Sequence, residues 1–192
     1  MFGFRRRRHA RVGLALYGAA VAAARVPFLY REVGVPDTLD GRFDLVGLYA
    51  ALLVLRLEAE PPLGHDLAQA VFDAMFGDMD ASLREMGVGD LSVSKRVKTM
   101  WEAFHGRTRA YAAALAEGES APLETALARN VWRGKPAPAG AAGPLALARL
   151  VQREHAHLAS QPLARLAAGS VDFLAPARAG PPLGKPDGNP AA

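Results

Sequence analysis

Residues 79–100, with the sequence MDASLREMGVGDLSVSKRVKTM, decide the fold. One helical pattern runs into the short turn GVGD, and a second helical pattern leaves it. Gly87 is suited to end the first helix in a left-handed conformation, and Ser92 is suited to begin the second as its N-cap. Gly89 and Asp90 complete the turn between them. The segment therefore predicts a corner between two antiparallel helices.

A glycine turn followed by lysines can also hold phosphate, so a nucleotide site is the first alternative. A phosphate-binding loop requires the pattern G-x-x-x-x-G-K-[ST] directly after a strand. Here a helix precedes the turn, and Lys95 lies five residues beyond Asp90. The spacing favours the corner over the nucleotide site.

The helix before the corner carries two apolar stripes. The first consists of Leu67, Ala70, Val71, Ala74 and Met75. The second consists of Phe72, Phe76, Met79, Leu83 and Met86. Because a helix turns by about 100° per residue, the two stripes lie more than a quarter-turn apart. Such a helix is either packed on both sides within the core or offers one side to a partner.

The helix after the corner carries one stripe, which we expect to face inward. Its members are Val93, Val97, Met100, Trp101, Phe104, Thr108, Tyr111 and Leu115. Asp78 lies within the first stripe of the preceding helix, and a carboxylate on a core face must be paired or hydrogen-bonded. We therefore predict an ion pair between Asp78 and either Arg96 or Arg107 that fixes the hairpin.

The same periodicity extends over most of the chain. It predicts long helices at residues 10–25, 41–58, 64–86, 92–117, 121–132 and 145–160. No alternating strand pattern of useful length is present. We predict an all-α fold, a single bundle of about six helices at residues 10–174, with a basic N-terminal arm at 1–9 and a disordered C-terminal tail at 175–192.

The charge is distributed unevenly. Residues 1–31 contain seven arginines and no acid, whereas the remainder carries a net charge of −3. The run Arg5, Arg6, Arg7 and Arg8 favours an anionic partner, which is an anionic membrane surface, RNA or an acidic protein face. The apolar run between Arg11 and Arg25 has 13 residues, which is shorter than the roughly 20 needed to span a bilayer. A signal peptide and a basic amphipathic first helix are the two interpretations of this segment.

The sequence predicts no catalytic, cofactor-binding or metal-binding residue. The absence of cysteine excludes disulfides, thiolate zinc sites and cysteine nucleophiles. The adjacent pair His65 and Asp66 is similar to the signature of HD-type metal-dependent phosphohydrolases. One such pair cannot complete a divalent metal site without further ligands.

Two segments carry a family resemblance. VPDTLDGRFDLVGLYAALLVLRL (residues 35–57) and FGDMDASLREMGVGDLSVSKRVKTMWEAFHGRTRAYAAAL (residues 76–115) resemble the ubiquinol–cytochrome c chaperone family. The resemblance covers about residues 14–132, and His105 stands at a position that is often aromatic in this family. It implies an all-helical assembly factor of the cytochrome bc1 complex without catalysis.

The resemblance also implies partners and a location. Family members bind newly made cytochrome b, and in mitochondria they sit near the ribosomal tunnel exit with a small partner subunit. For a bacterial chain we expect a cytoplasmic protein, peripheral to the inner face of the plasma membrane. The second stripe is then the candidate client groove, and the candidate basic rim consists of Arg84, Lys95, Arg96, Lys98, Arg107 and Arg109. A membrane-surface scaffold and an HD-type phosphohydrolase are the alternative functions.

Overall fold

The computed structural model describes residues 2–174, with side chains from Arg7 onward except that of Leu91. This part of the chain contains eight α-helices and no strand. In chain order they are α1 Phe2–Ala24, α2 Pro27–Arg31, α3 Leu39–Glu58, α4 Leu63–Glu85, α5 Asp90–Ala116, α6 Ser120–Asn130, α7 Gly143–Ser160 and α8 Leu163–Ala167. The all-α prediction is confirmed, with two additional five-residue helices, α2 and α8. The tail predicted at 175–192 lies outside the described residues.

Helix α3 forms the centre of the bundle, because it contacts α1, α4, α5 and α7. Thirteen of its 20 residues are buried, as expected for a helix that is apolar around its whole circumference. Its N-terminus is capped by Thr38, whose Oγ1 accepts a hydrogen bond from the backbone N–H of Gly41 at 3.1 Å. The first stripe of α4 faces this core, since Leu67, Val71 and Met75 are buried.

Helix α1 packs along α4 at very short distance. A Cβ atom added at Gly13 would lie 2.4 Å from the carbonyl carbon of Ala70, so the two backbones meet without a side chain between them. Leu16 and Ala20 are fully buried on the same side of α1. Helix α1 begins at Phe2 instead of near residue 10, and the arginines of the predicted arm therefore belong to the first turns of this helix.

The corner at Gly87 is confirmed in detail. Gly87 has a positive φ of 79°. Its N–H donates to the carbonyl of Arg84 at 2.9 Å, and the N–H of Val88 donates to the carbonyl of Leu83 at 3.1 Å. These two bonds form a Schellman motif, which satisfies carbonyls at the end of α4.

The predicted role of Ser92 is wrong. Helix α5 begins at Asp90, and its N-cap is Gly89 in an extended conformation without a side-chain cap. Ser92 therefore lies inside the first turn. The physical reason is that Asp90 favours the positive end of the helix dipole and forms an ion pair with Arg84 across the corner.

Two buried charges connect distant parts of the chain. Arg56, on α3, donates to the carbonyl oxygens of Leu158 and Gln161 at 2.9 and 2.5 Å and so caps the C-terminus of α7. Asp44, also on α3, accepts hydrogen bonds from Arg107 at 2.5 Å and from Arg133 at 3.3 Å. The second network attaches α5 and the segment after α6 to α3.

Candidate functional site

An open groove with a volume of about 590 Å³ lies between α3, α4 and α5. Each helix contributes positions from one of its sides, as in the set 65, 68, 69 and 72 on α4. The apolar lining consists of Val54, Leu55, Ala68, Phe72, Trp101, Phe104 and Ala112. The polar lining consists of Glu58, His65, Gln69, His105, Thr108 and Arg109.

Aromatic rings form one wall of the groove. The ring of His105 lies between those of Trp101 and Phe72, with centroid distances of 4.3 and 5.4 Å. Phe104 meets Phe72 edge to face at 5.8 Å. Trp101 is 46% exposed, so a large apolar side chain remains available at the edge of the groove. Tryptophan is enriched at protein interfaces because it buries a large area with little conformational entropy to lose.

The structure divides the predicted second stripe of α4. Phe72 and Phe76 are half-buried and stack on each other at 4.5 Å. Met79 and Leu83 are buried near the corner, whereas Met86 is 54% exposed. Of the five, Phe72 alone lines the groove. The stripe is therefore partly core and partly surface.

Comparison with known proteins identifies the family. The family described as "Ubiquinol-cytochrome C chaperone" matches residues 31–173. The chain belongs to this family. The match begins at residue 31, later than the resemblance at 14–132. It also ends later, because it includes α7 and the segment that follows α8.

A solved structure supports the same assignment for this chaperone. The crystal structure of the Cbp3 homolog from Brucella abortus shares 34% sequence identity with it. The match covers 91% of this chain and 94% of that chain, with a TM-score of 0.78. A comparison with curated proteins found no match.

Two members of the predicted basic rim are engaged within the chaperone. Arg84 pairs with Asp80 at 2.6 Å and also with Asp90. Arg107 pairs with the buried Asp44. Both guanidinium groups serve the packing of the corner and of α5, and neither is available as an uncompensated surface charge.

The other four predicted rim residues are Lys95, Arg96, Lys98 and Arg109. All four are exposed. None of them forms an ion pair within residues 2–174. Arg109 lines the groove. Lys98 precedes Trp101 by one turn and therefore lies on the same side of α5. Arg96 lies on the opposite side of the helix, since it precedes Trp101 by five positions, a rotation of about 500°, or about 140° beyond a full turn.

The predicted ion pair of Asp78 is wrong. The hydroxyl of Tyr17 on α1 donates to Asp78 Oδ2 at 2.7 Å, and neither Arg96 nor Arg107 pairs with Asp78. Burial and this acceptor raise the pKa of Tyr17. Asp78 therefore fixes α1 on α4 and does not connect α4 to α5. A helical pattern gives the side on which Asp78 lies but does not say which helix packs there.

His65 and Asp66 point to different neighbours. His65 lines the groove, and Asp66 lies 3.9 Å from His9 on α1. Among residues 2–174, no group of three or more His, Asp or Glu side chains is arranged to hold a metal ion. Over the same range, none of the helices combines the length and the apolar character needed to cross a membrane.

Sequence reasoning missed the exposure of Trp101. The sequence pattern puts Trp101 in one inward stripe with Met100, but adjacent residues on a helix differ in direction by about 100°. Met100 packs against the core, and Trp101 faces the groove. The width of the predicted stripe indicates that one of its members is exposed, because a stripe that contains two adjacent positions must extend beyond a single face of the helix.

Proposed function

We propose that this chaperone promotes assembly of the ubiquinol–cytochrome c reductase complex by binding newly made cytochrome b in the α3–α4–α5 groove. It does so without covalent chemistry, as a non-enzymatic assembly factor. The observation that carries the proposal is an open aromatic groove, edged by the exposed Trp101, in a member of a chaperone family.

The groove suits an apolar helical segment. Cytochrome b is a membrane protein, and its helices expose apolar side chains until they are assembled. Helix-in-groove recognition uses apolar anchors one helical turn apart in the ligand. The wall formed by Phe72, Phe104 and Trp101 offers apolar contact to such anchors. Polar residues around it, including Glu58 and Arg109, keep the opening hydrated.

The proposed setting follows from the client. A client that is inserted during synthesis places the chaperone in the cytoplasm, peripheral to the inner face of the bacterial plasma membrane. Lys95 and Lys98, which are exposed, give α5 a basic edge that fits the phosphate groups of a ribosome. The proposal does not require a small partner subunit, and the same capture experiments would detect such a subunit where one is bound.

Site-specific crosslinking tests the groove. A photo-reactive residue in place of Trp101 should capture cytochrome b in cells that translate it. The same residue in place of Leu145, which is 36% exposed on α7, is the matched control and should not. In a separate co-purification without the photo-reactive residue, Trp101→Ala should weaken binding of cytochrome b by about tenfold or more, as expected for an interface tryptophan. Equal capture from positions 101 and 145 would show that the groove is not the client site.

A further inference from the structure

Helix α1 has one uncovered side. Its buried positions face α4 and α3. On the opposite side, exposed positions recur at helical spacing along almost the whole helix and just beyond it: Arg7, Arg11, Leu14, Gly18 and Arg25. Successive members are three, four or seven residues apart, so they lie along one line of the helix surface. We call this line, together with the exposed Arg8, the outer face of α1.

The outer face is strongly basic. Residues 1–31 contain no acid. Within the described part of the chain, Arg7, Arg8, Arg11 and Arg25 form no ion pair, and the two acids that meet α1, Asp66 and Asp78, lie beside His9 and Tyr17. The remainder of the chain carries a net negative charge. Four arginines without an ion-pair partner among the described residues therefore lie along a single straight surface about 27 Å long.

The uncharged positions of the outer face distinguish a lipid surface from a nucleic acid. Leu14 is 61% exposed and lies between arginines on the helix surface. Gly18 is small and exposed, and so is Ala22, which follows one turn later on the same side, so the helix can approach a flat surface closely. Between Arg7 and Arg25, the one Phe, Tyr or Trp is Tyr17, which is buried and offers no stacking platform for a base. Arginines around an exposed leucine are typical of a helix that lies in a membrane interface.

We propose that the outer face of α1 binds the surface of an anionic phospholipid bilayer. The helix lies flat, its arginines contact lipid phosphates, and Leu14 enters the boundary of the acyl chains. Ala70 and Asp78 of α4 face α1, whereas His65 and Phe72 face the groove. The helix that binds lipid and the groove that binds the client therefore lie on different sides of α4, and membrane binding leaves the groove open.

Vesicle flotation of the purified protein tests this inference, which rests on the proposed location at a membrane. The protein should bind vesicles of phosphatidylcholine with about one-third phosphatidylglycerol and not vesicles of phosphatidylcholine alone. Raising the salt concentration from about 50 to about 500 mM should release it. Replacing Arg7, Arg8 and Arg11 by Gln should lower binding about 100-fold, since each arginine near such a surface contributes about fivefold.

Two matched controls distinguish binding by the outer face of α1 from a general effect of net charge and from a general effect of exposed leucine. Replacing Lys95, Lys98 and Arg109 by Gln removes the same charge from α5 and should leave vesicle binding within about threefold. Leu14→Gln should lower binding about tenfold, whereas Leu145→Gln should not change it. Far-UV circular dichroism confirms that each variant is folded.

The results overturn the proposal in three cases. They do so if the α5 variant loses as much binding as the α1 variant, if Leu14→Gln has no effect, or if mixed-sequence RNA binds the outer face while the anionic vesicles do not. Capture of detergent-solubilised cytochrome b is measured in parallel. If that capture persists while vesicle binding fails, the lipid surface alone is refuted. If vesicle binding persists while capture fails, the proposed client function is refuted.

Discussion

Gly13→Ala should destabilise the fold, although the same substitution in a free helix is favourable. An added Cβ would lie 2.4 Å from both the carbonyl carbon and the carbonyl oxygen of Ala70. An ordinary contact is about 1 Å longer, and the obstacle is backbone inside a long helix, which cannot rotate away. The overpacking cost of about 1–3 kcal/mol, with more where backbone must move, exceeds the roughly 1 kcal/mol gained from better helix propensity. Moving α1 away from α4 to make room for the Cβ also strains the hydrogen bond from Tyr17 to Asp78.

Urea unfolding at equilibrium measures this effect, with Gly18→Ala as the matched control. Gly18 is on the same helix, and no atom lies within 4 Å of its added Cβ. We expect the free energy of unfolding to fall by up to about 2 kcal/mol for Gly13→Ala, the overpacking cost less the propensity gain, and to rise by up to about 1 kcal/mol for Gly18→Ala. If the two variants are equally stable, α1 does not pack against α4 as described, and the reasoning fails.

Two further predictions concern a buried acid and the basic edge of α5. Burial raises the pKa of Glu154 above its ordinary value of 4.5, so its stabilising contribution is present below about pH 4.5 and is lost as the pH rises through the folded-state pKa. Glu154→Gln should therefore gain stability relative to the native protein in urea unfolding as the pH rises above about 4.5 and through the folded-state pKa of Glu154, and a stability difference that does not change with pH would contradict this. Lys95→Glu with Lys98→Glu should reduce ribosome co-sedimentation at low salt without changing stability, whereas Arg96→Glu on the other side should have less effect. Equal losses would show that α5 has no oriented basic edge.

Much of the fold could be predicted because it depends on periodicity within single helices. The first stripe of α4 and the glycine that ends this helix are both local features, and the structure has Leu67 and Val71 buried and Gly87 in the left-handed region. The boundaries that were wrong depend on contacts beyond the local sequence. Asp90 begins α5 because it meets Arg84 across the corner, and no pattern within α5 itself distinguishes it from Ser92.

The candidate site was less predictable, because it depends on which helices become neighbours. The sequence shows that the second stripe of α4 is apolar but not which of its members are covered. In the fold α5 covers Met79 and leaves Phe72 at an open groove. The basic residues show the same limit. Arg107 and Arg109 are alike in sequence, yet Arg107 meets a buried carboxylate of α3, and Arg109 faces solvent at the groove.

The buried pair of Asp44 and Arg107 explains how the groove can stay open. Arg107 and the buried Tyr111 hold one side of α5 to the core, and Trp101 and His105 lie on a different side of the same helix. Removing one partner of a buried pair leaves an uncompensated charge at a cost of about 3–5 kcal/mol, so the pair strongly disfavours rotation of α5 about its axis. Without such a constraint, rotation of α5 would bury Trp101 and close the groove by hydrophobic contact. The polar contacts of Arg107 behind α5 therefore keep Trp101 and His105 at the groove.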